Sequence, residues 1–183
     1  MLAVALPAIL TACAATPLDS FDLAAVPANA AKQTRRAVIS IEEPNAPAIL
    51  ASNRIAIRRP GGDYAYLAGA QWSDQLTQLV RRRLIDGFEN ARLFQAVAET
   101  GTAADFILAM DIRRFEIDGE SNQAVVEIAV RLVAARTGRA VKGVVVSGSA
   151  PAPTTGAAAI TAALDQACGE AAGKILRFAV SRT

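Results

Sequence analysis

"ADFILAMDIRRFEID" (104–118) and "QAVVEIAVRLVAA" (123–135) are the stretches on which the fold turns. In the first, Phe106, Leu108, Met110 and Ile112 alternate with smaller or charged residues, and in the second so do Val126, Ile128, Val130 and Leu132. A period of two puts each set on one face of a strand, so the pair reads as a β-hairpin with one apolar and one wet face. Joining the two apolar faces requires an even register, supplied by a loop through Gly119-Glu120-Ser121. That register places Arg113 opposite Glu127 on the wet face, an exposed pair contributing well under about 1 kcal/mol. A second turn, "RTGR" (136–139), leads into "AVKGVVVSGS" (140–149), whose valines fall on both faces and leave its register open.

Working outward, "RRAVISIEEP" alternates up to Pro44 and predicts a strand over 36–42; "NRIAIRRPGG" predicts another over 53–58, and "DYAYL" a short return. The period then changes. Leu76, Leu79, Val80, Leu84 and Phe88 recur at helical spacing, predicting a helix over 74–91 with Ser73 as its N-cap and Trp72 just before it. Trp72, the single tryptophan, reads first as a packing anchor at the start of that helix and is also carried as a candidate contact. "LFQAVAE" follows as a strand. After Pro151 and Pro153, residues 155–181 predict an Ala-rich helix with Ile160, Leu164, Ala167, Ala171, Ile175 and Phe178 in one stripe, and Gly169 and Gly173 allowing it to lie close to the sheet. The fold class is therefore α+β: a mixed, largely antiparallel sheet with two long helices packed on it.

The chain of 183 residues suits one domain plus an N-terminal appendage, and its formal charge of +2 with 5% aromatic residues gives no footprint for nucleic acid. The run Arg81-Arg82-Arg83 lies within the first helix and reads as a solvated face. There is no histidine, so the commonest metal ligand and the commonest general base are both missing. "GEAAGKI" (169–175) looks like a phosphate loop but has three residues between its glycines, Ile after its lysine, and a helix around it. No G-x-S-x-G or S-x-x-K motif occurs, and Ser147 and Ser149 have no histidine to activate them. Asp111, Glu116, Asp118 and Glu127, the carboxylates that would have to supply an acid/base pair, lie beside arginines on strands and read as solvated charge. The sequence points away from an enzyme and calls for no cofactor or metal.

At the N-terminus, "LAVALPAIL" (2–10) is apolar throughout yet shorter than the roughly 20 residues a membrane-spanning helix needs. It matches the apolar core of an export signal, without the usual positive residues before it. Leu10-Thr11-Ala12-Cys13 resembles the lipobox of bacterial lipoproteins. That resemblance implies cleavage between Ala12 and Cys13, diacylglycerol on the Cys13 sulfur and acylation of the new amino terminus. Residues 1–12 are then a signal peptide, 13–34 a lipidated cysteine and tether in which Phe21 and Leu23 add an edge strand, and 35–183 a single domain. Cys168, the only other cysteine, is left as a small buried residue.

The lipobox, the tether, "RIAIRRPGGDYAYLAGAQWSDQLTQLVRRRLIDGFEN", "LFQAV", "ILAMDIRRFE" and "VEIAVRLVAARTGR" together resemble the ABC-type transport auxiliary lipoproteins, the family that includes PqiC. The likeness is strongest from Arg54 to Val97, especially at Gln71-Trp72-Ser73-Asp74. It implies a non-catalytic periplasmic lipoprotein working with an ABC permease and ATPase and an MCE-domain protein in moving phospholipids or other hydrophobic compounds between inner and outer membranes. Ala14 is not the aspartate that retains lipoproteins in the inner membrane of enteric bacteria, so the outer membrane is the expected address. Val144 and Val146, or Val141 and Val145 in the other register, are candidate contacts with a partner or with a second copy in a homo-oligomer; helices covering both faces are the alternative. Two further readings stand beside this one: an outer-membrane lipoprotein of another periplasmic assembly, such as an activator of peptidoglycan synthesis, and a periplasmic hydrolase.

Overall fold

The hairpin forms, and a single bulge corrects its register. The computed structural model describes residues 17–25, 34–98 and 103–181. In it β6 (Phe106–Asp118) and β7 (Gln123–Ala134) pair antiparallel, with Leu108 opposite Leu132, Met110 opposite Val130 and Ile112 opposite Ile128 as the alternation requires. The register then shifts between Ile112 and Arg114, so that Arg114, not Arg113, lies opposite Glu127. Arg113 is the extra residue, and its guanidinium still approaches Glu127 at 3.6 Å. The physical reason is a change of face. The bulge moves the inward positions of β6 from even to odd numbers, so Phe115 and Ile117 join the core opposite Val126 and Ala124. An unbroken even register would have turned both outward and driven Arg114 inward.

The remaining elements are β1 (Asp19–Phe21), β2 (Arg35–Ile41), β3 (Arg54–Arg58), β4 (Tyr64–Trp72), α1 (Leu76–Asn90), β5 (Phe94–Ala98), β8 (Arg139–Pro151) and α2 (Ala157–Val180). One edge of β6 is covered by β7 along its length. The other is shared: β2 lies parallel to the Phe106–Leu108 end and β3 parallel to the Glu116–Asp118 end, with a bridge between Asn45 and Asp111 in the gap. β5 extends the sheet beyond β2; β4 and then β1 extend it beyond β3, and β8 beyond β7. The sheet is thus mixed: four of its seven pairings are parallel, while the longest two are antiparallel.

Both helices pack with the sheet in one apolar core. The α1 stripe predicted from spacing is buried, but the helix begins at Leu76, with Gln75 in the cap position and no side-chain cap. Ser73 lies two residues before the cap position, directly after the end of β4, where its N–H donates to Phe21 O of β1 (2.7 Å). The arginine run is a solvated face only at Arg82, which is exposed; Arg81 is half-buried and Arg83 buried. Arg81 Nε donates to Ile41 O (2.9 Å) and Arg82 pairs with Asp74 (3.0 Å), while Arg83 is buried against Asp165 of α2 (2.5 Å). The expected role of Gly169 and Gly173 also changes. A Cβ at Gly169 would meet Arg83 Nη2 at 2.9 Å and one at Gly173 would meet Arg177 Nη1 at 3.4 Å, so both make room for arginines. The glycine that brings helix and sheet together is Gly148 of β8, where a Cβ would stand 3.0 Å from Ala167 C and Ala171 N and closer still to Ala167 O.

Candidate interaction surface

Of the four carboxylates read as solvated charge, two are not solvated: the side chains of Glu116 and Asp118 are 0% and 14% exposed. Glu116 is fully buried, accepting from Arg114 Nε (2.8 Å) and the Tyr64 hydroxyl (3.0 Å). Asp118 accepts from Arg114 Nη2 (2.8 Å) and from the backbone N–H of Glu120 (3.0 Å), which caps the turn after β6. Arg114 holds the Asp118 carboxyl below its usual range, whereas burial and then the Glu116 carboxylate push the Tyr64 phenol up. Asp111 pairs with Arg131 (2.9 Å) and Glu127 with Arg113. Through these contacts the four carboxylates link β4, β6 and β7. Cys168 is buried beside Arg83, and burial pushes its thiol up to about 11, so it stays protonated at neutral pH. Among the described residues no group of three or more His, Cys, Asp and Glu could hold a metal ion, and no helix is long and apolar enough to cross a membrane.

Of the residues expected to form contacts, two lie inside. Trp72 is 1% exposed, its ring edge-on to Phe115 at 5.9 Å, so its reading as a contact is corrected; Val146 is 6% exposed, and only the wall it gives to the groove between β8 and α2 reaches the surface. The register of β8 gives the reason. Val144 faces Val130 and Val146 faces Ile128, so even-numbered residues turn toward the helices. Val146 lies where α2 covers the sheet, Val144 lies farther along and is 36% exposed, and Val141 and Val145 are exposed at 39% and 47%. Val144 and both members of the alternative pair, Val141 and Val145, are therefore at the surface. Cys13 and Ala12, with the apolar run before them, lie outside the described residues.

Among the described residues β8 is the last strand of the sheet, and side chains of α2 cover part of its outer edge. Lys174 Nζ donates to Ser147 O (2.7 Å), Ser149 N–H donates to Glu170 (3.1 Å), and Glu170 and Lys174 pair at 2.7 Å. Lys174 and the Ser149 N–H together hold the Glu170 carboxyl below its usual range. Farther along, Lys142 Nζ donates to the carbonyls of Phe178 (2.6 Å) and Ser181 (2.7 Å), closing the C-terminus of α2 with a cation. Between these two locks is a groove of about 430 Å³, lined by Val144, Val145, Lys174, Arg177, Phe178 and Ser181. Sequence reasoning read Arg83 only as part of a solvated face and passed over Lys142 and the Glu170–Lys174 lock. The i, i+4 spacing of the last pair was a readable signal; the partners of the other two depend on tertiary packing.

Among the described residues the fold is one mixed eight-stranded sheet with two helices packed on it. The chain belongs to the family described as the ABC-type transport auxiliary lipoprotein component, whose model matches residues 21–176. A curated, uncharacterized protein of Bradyrhizobium diazoefficiens is 34% identical over 154 residues; the match covers 82% of this chain but 41% of that protein, so this chain spans about two fifths of its relative. A crystal structure of a Xanthomonas campestris protein superposes with TM-score 0.81 at 25% identity, covering 88% of this chain and 94% of that one. The PelC dodecamer of Paraburkholderia phytofirmans shares the fold at TM-score 0.50 and 13% identity, over 87% and 95% of the two chains.

Proposed function

We propose that this protein is a lipid-anchored, non-catalytic periplasmic component of an ABC-type system that moves phospholipids or other hydrophobic compounds between the two membranes. In this reading its partners are an ABC permease and ATPase and an MCE-domain protein. Cys13 carries diacylglycerol after cleavage behind Ala12, and the protein sits on the periplasmic face of the outer membrane. The observation that carries the reading is the family match over residues 21–176, with Leu10-Thr11-Ala12-Cys13 just upstream of it. Each buried acyl methylene contributes about 0.8 kcal/mol, so two or three chains hold a protein at a membrane without a transmembrane helix. The far end of the tether is pinned to the domain: β1 pairs with β4, and Ala24 N–H donates to Asp165 (2.9 Å). Pull on the anchor is thereby delivered to the sheet and to α2.

The test is reversible cross-linking in the native host, followed by solubilisation and purification through a tag on the C-terminus. Enrichment of an ABC ATPase, its permease and an MCE-domain protein supports the reading. Enrichment of a peptidoglycan synthase in their place overturns it in favour of another periplasmic assembly, and a robust hydrolase activity of the purified protein overturns the non-catalytic role.

A further inference from the structure

The outer edge of β8 is open where its surroundings are basic, and this combination selects a kind of partner. Because Ser149 N–H turns away from β7 to reach Glu170, the alternation of an antiparallel ladder turns the backbone N–H and C=O of Ser147, Val145 and Gly143 the same way. The Glu170–Lys174 pair occupies Ser149 N–H and Ser147 O and so ends the open stretch on one side. On the other side the register shift at Val141 breaks the regular edge. Between them Val145 is 47% exposed, Gly143 has no side chain to obstruct an approaching backbone, and the groove between Val144 and Phe178 lies alongside. The charged side chains on β8 and α2 around this stretch are Arg139, Lys142, Lys174 and Arg177, with Glu170 held by Lys174; across the ladder on β7, Glu127 opposite Ser147 is paired with Arg113 and Arg131 opposite Gly143 with Asp111, so the cations stay in excess. Arg177, on the groove's rim, is exposed and has no ion pair among the described residues.

We propose that β8 accepts an extended, acidic segment of a partner protein by strand addition along residues 143–147, with an apolar side chain in the groove beside Phe178 and a carboxylate on Arg177. Backbone bonds to the edge supply affinity, while the groove and the cation supply selectivity. A second copy pairing β8 to β8 would bring two sets of Lys174 and Arg177 together, a like-charge contact that disfavours the homodimeric alternative.

The probe is a capped peptide of alternating Glu and Val, with a Lys-and-Val peptide as its counterpart, added to the full chain while amide hydrogen exchange is read by NMR. The Glu peptide is expected to slow exchange at Val145 and Ser147 by at least about tenfold. Val145→Pro removes an N–H that makes no bond within the sheet, so it should leave the remaining amide spectrum in place and abolish protection at Ser147. Arg177→Glu, at an exposed position, should make the Lys peptide the tighter binder. Unchanged exchange with the Glu peptide, retained protection in Val145→Pro, or unchanged preference in Arg177→Glu overturns the proposal. Protection already present without peptide and lost on dilution also overturns it, assigning the edge to a second copy.

Discussion

Replacing Gly148 with alanine adds one methyl group at the closest approach of α2 to the sheet. The new Cβ would stand 3.0 Å from Ala167 C and Ala171 N and nearer still to Ala167 O, all of them helix backbone. No side-chain rotamer can relieve the clash, so α2 must withdraw by about 1 Å to restore normal contact. Withdrawal loosens Leu164, Ala167 and Ala171 against the sheet, all fully buried. Overpacking of a close-packed core costs about 1–3 kcal/mol, and a rigid helix backbone places this site at the upper end. An alanine in a strand recovers only about 0.5–1 kcal/mol of the glycine's excess chain entropy. The net expectation is a loss of about 2 kcal/mol. Gly143→Ala on the same strand is the control, since its Cβ would meet Val130 O at 3.5 Å, an ordinary contact; it should be neutral or slightly stabilising. Equilibrium urea unfolding of the two variants beside the parent measures the difference. Equal midpoints for Gly148→Ala and Gly143→Ala would refute the assignment of Gly148 as the point that sets the helix against the sheet.

The ion pair between the helices should respond asymmetrically, because the Arg83 side chain is 3% exposed and that of Asp165 27%. Asp165→Ala strands a buried cation and should cost about 3–5 kcal/mol, whereas Arg83→Met leaves a carboxylate with water access and the Ala24 N–H and should cost much less; equal losses in urea unfolding would contradict the burial of Arg83. For Cys168, burial pushes the folded thiol up to about 11 from its ordinary 9.0. A raised folded pKa means that the native state holds the proton longer, so this contribution is intact below pH 9 and is lost as the pH rises toward about 11. Cys168→Ala should flatten that part of the alkaline stability profile, and in the parent the thiol should resist maleimide at neutral pH until the protein is unfolded.

How much of this could be read beforehand depends on the range of the interactions involved. The faces of β6 and β7 were legible because a period of two is a local property of the chain. So was the stripe on α1, whose spacing survives any choice of neighbour. The phase change in β6 was written in the sequence as well, since apolar residues fall at 106, 108, 110 and 112 and then at 115 and 117. Reading it as a bulge required accepting two adjacent arginines as the point of insertion. The sharing of one β6 edge by β2 and β3 was not legible, because parallel pairing between distant segments leaves no periodic signal. Val144, Val145 and Val146 illustrate the same limit at the contact surface. Their composition marked the strand as two-faced, but α2 decides which valine is covered, and it packs there through Gly148 and Ala167. Trp72 was drawn both as an anchor and as a contact; Phe115 settles it as an anchor, and Phe115 is there only because of the bulge.

Anchoring is the part of the proposal on which the rest depends, since the proposed role is one of position and contact. The most direct measurement is complementation of a gene deletion by Cys13→Ser, read together with acyl-chain labelling, membrane fractionation and outer-membrane permeability to hydrophobic dyes. Anchoring predicts loss of label, release of a folded protein from the membrane fraction, and permeability matching the deletion. A Cys13→Ser protein that is unlabelled and soluble yet restores the barrier fully would contradict it.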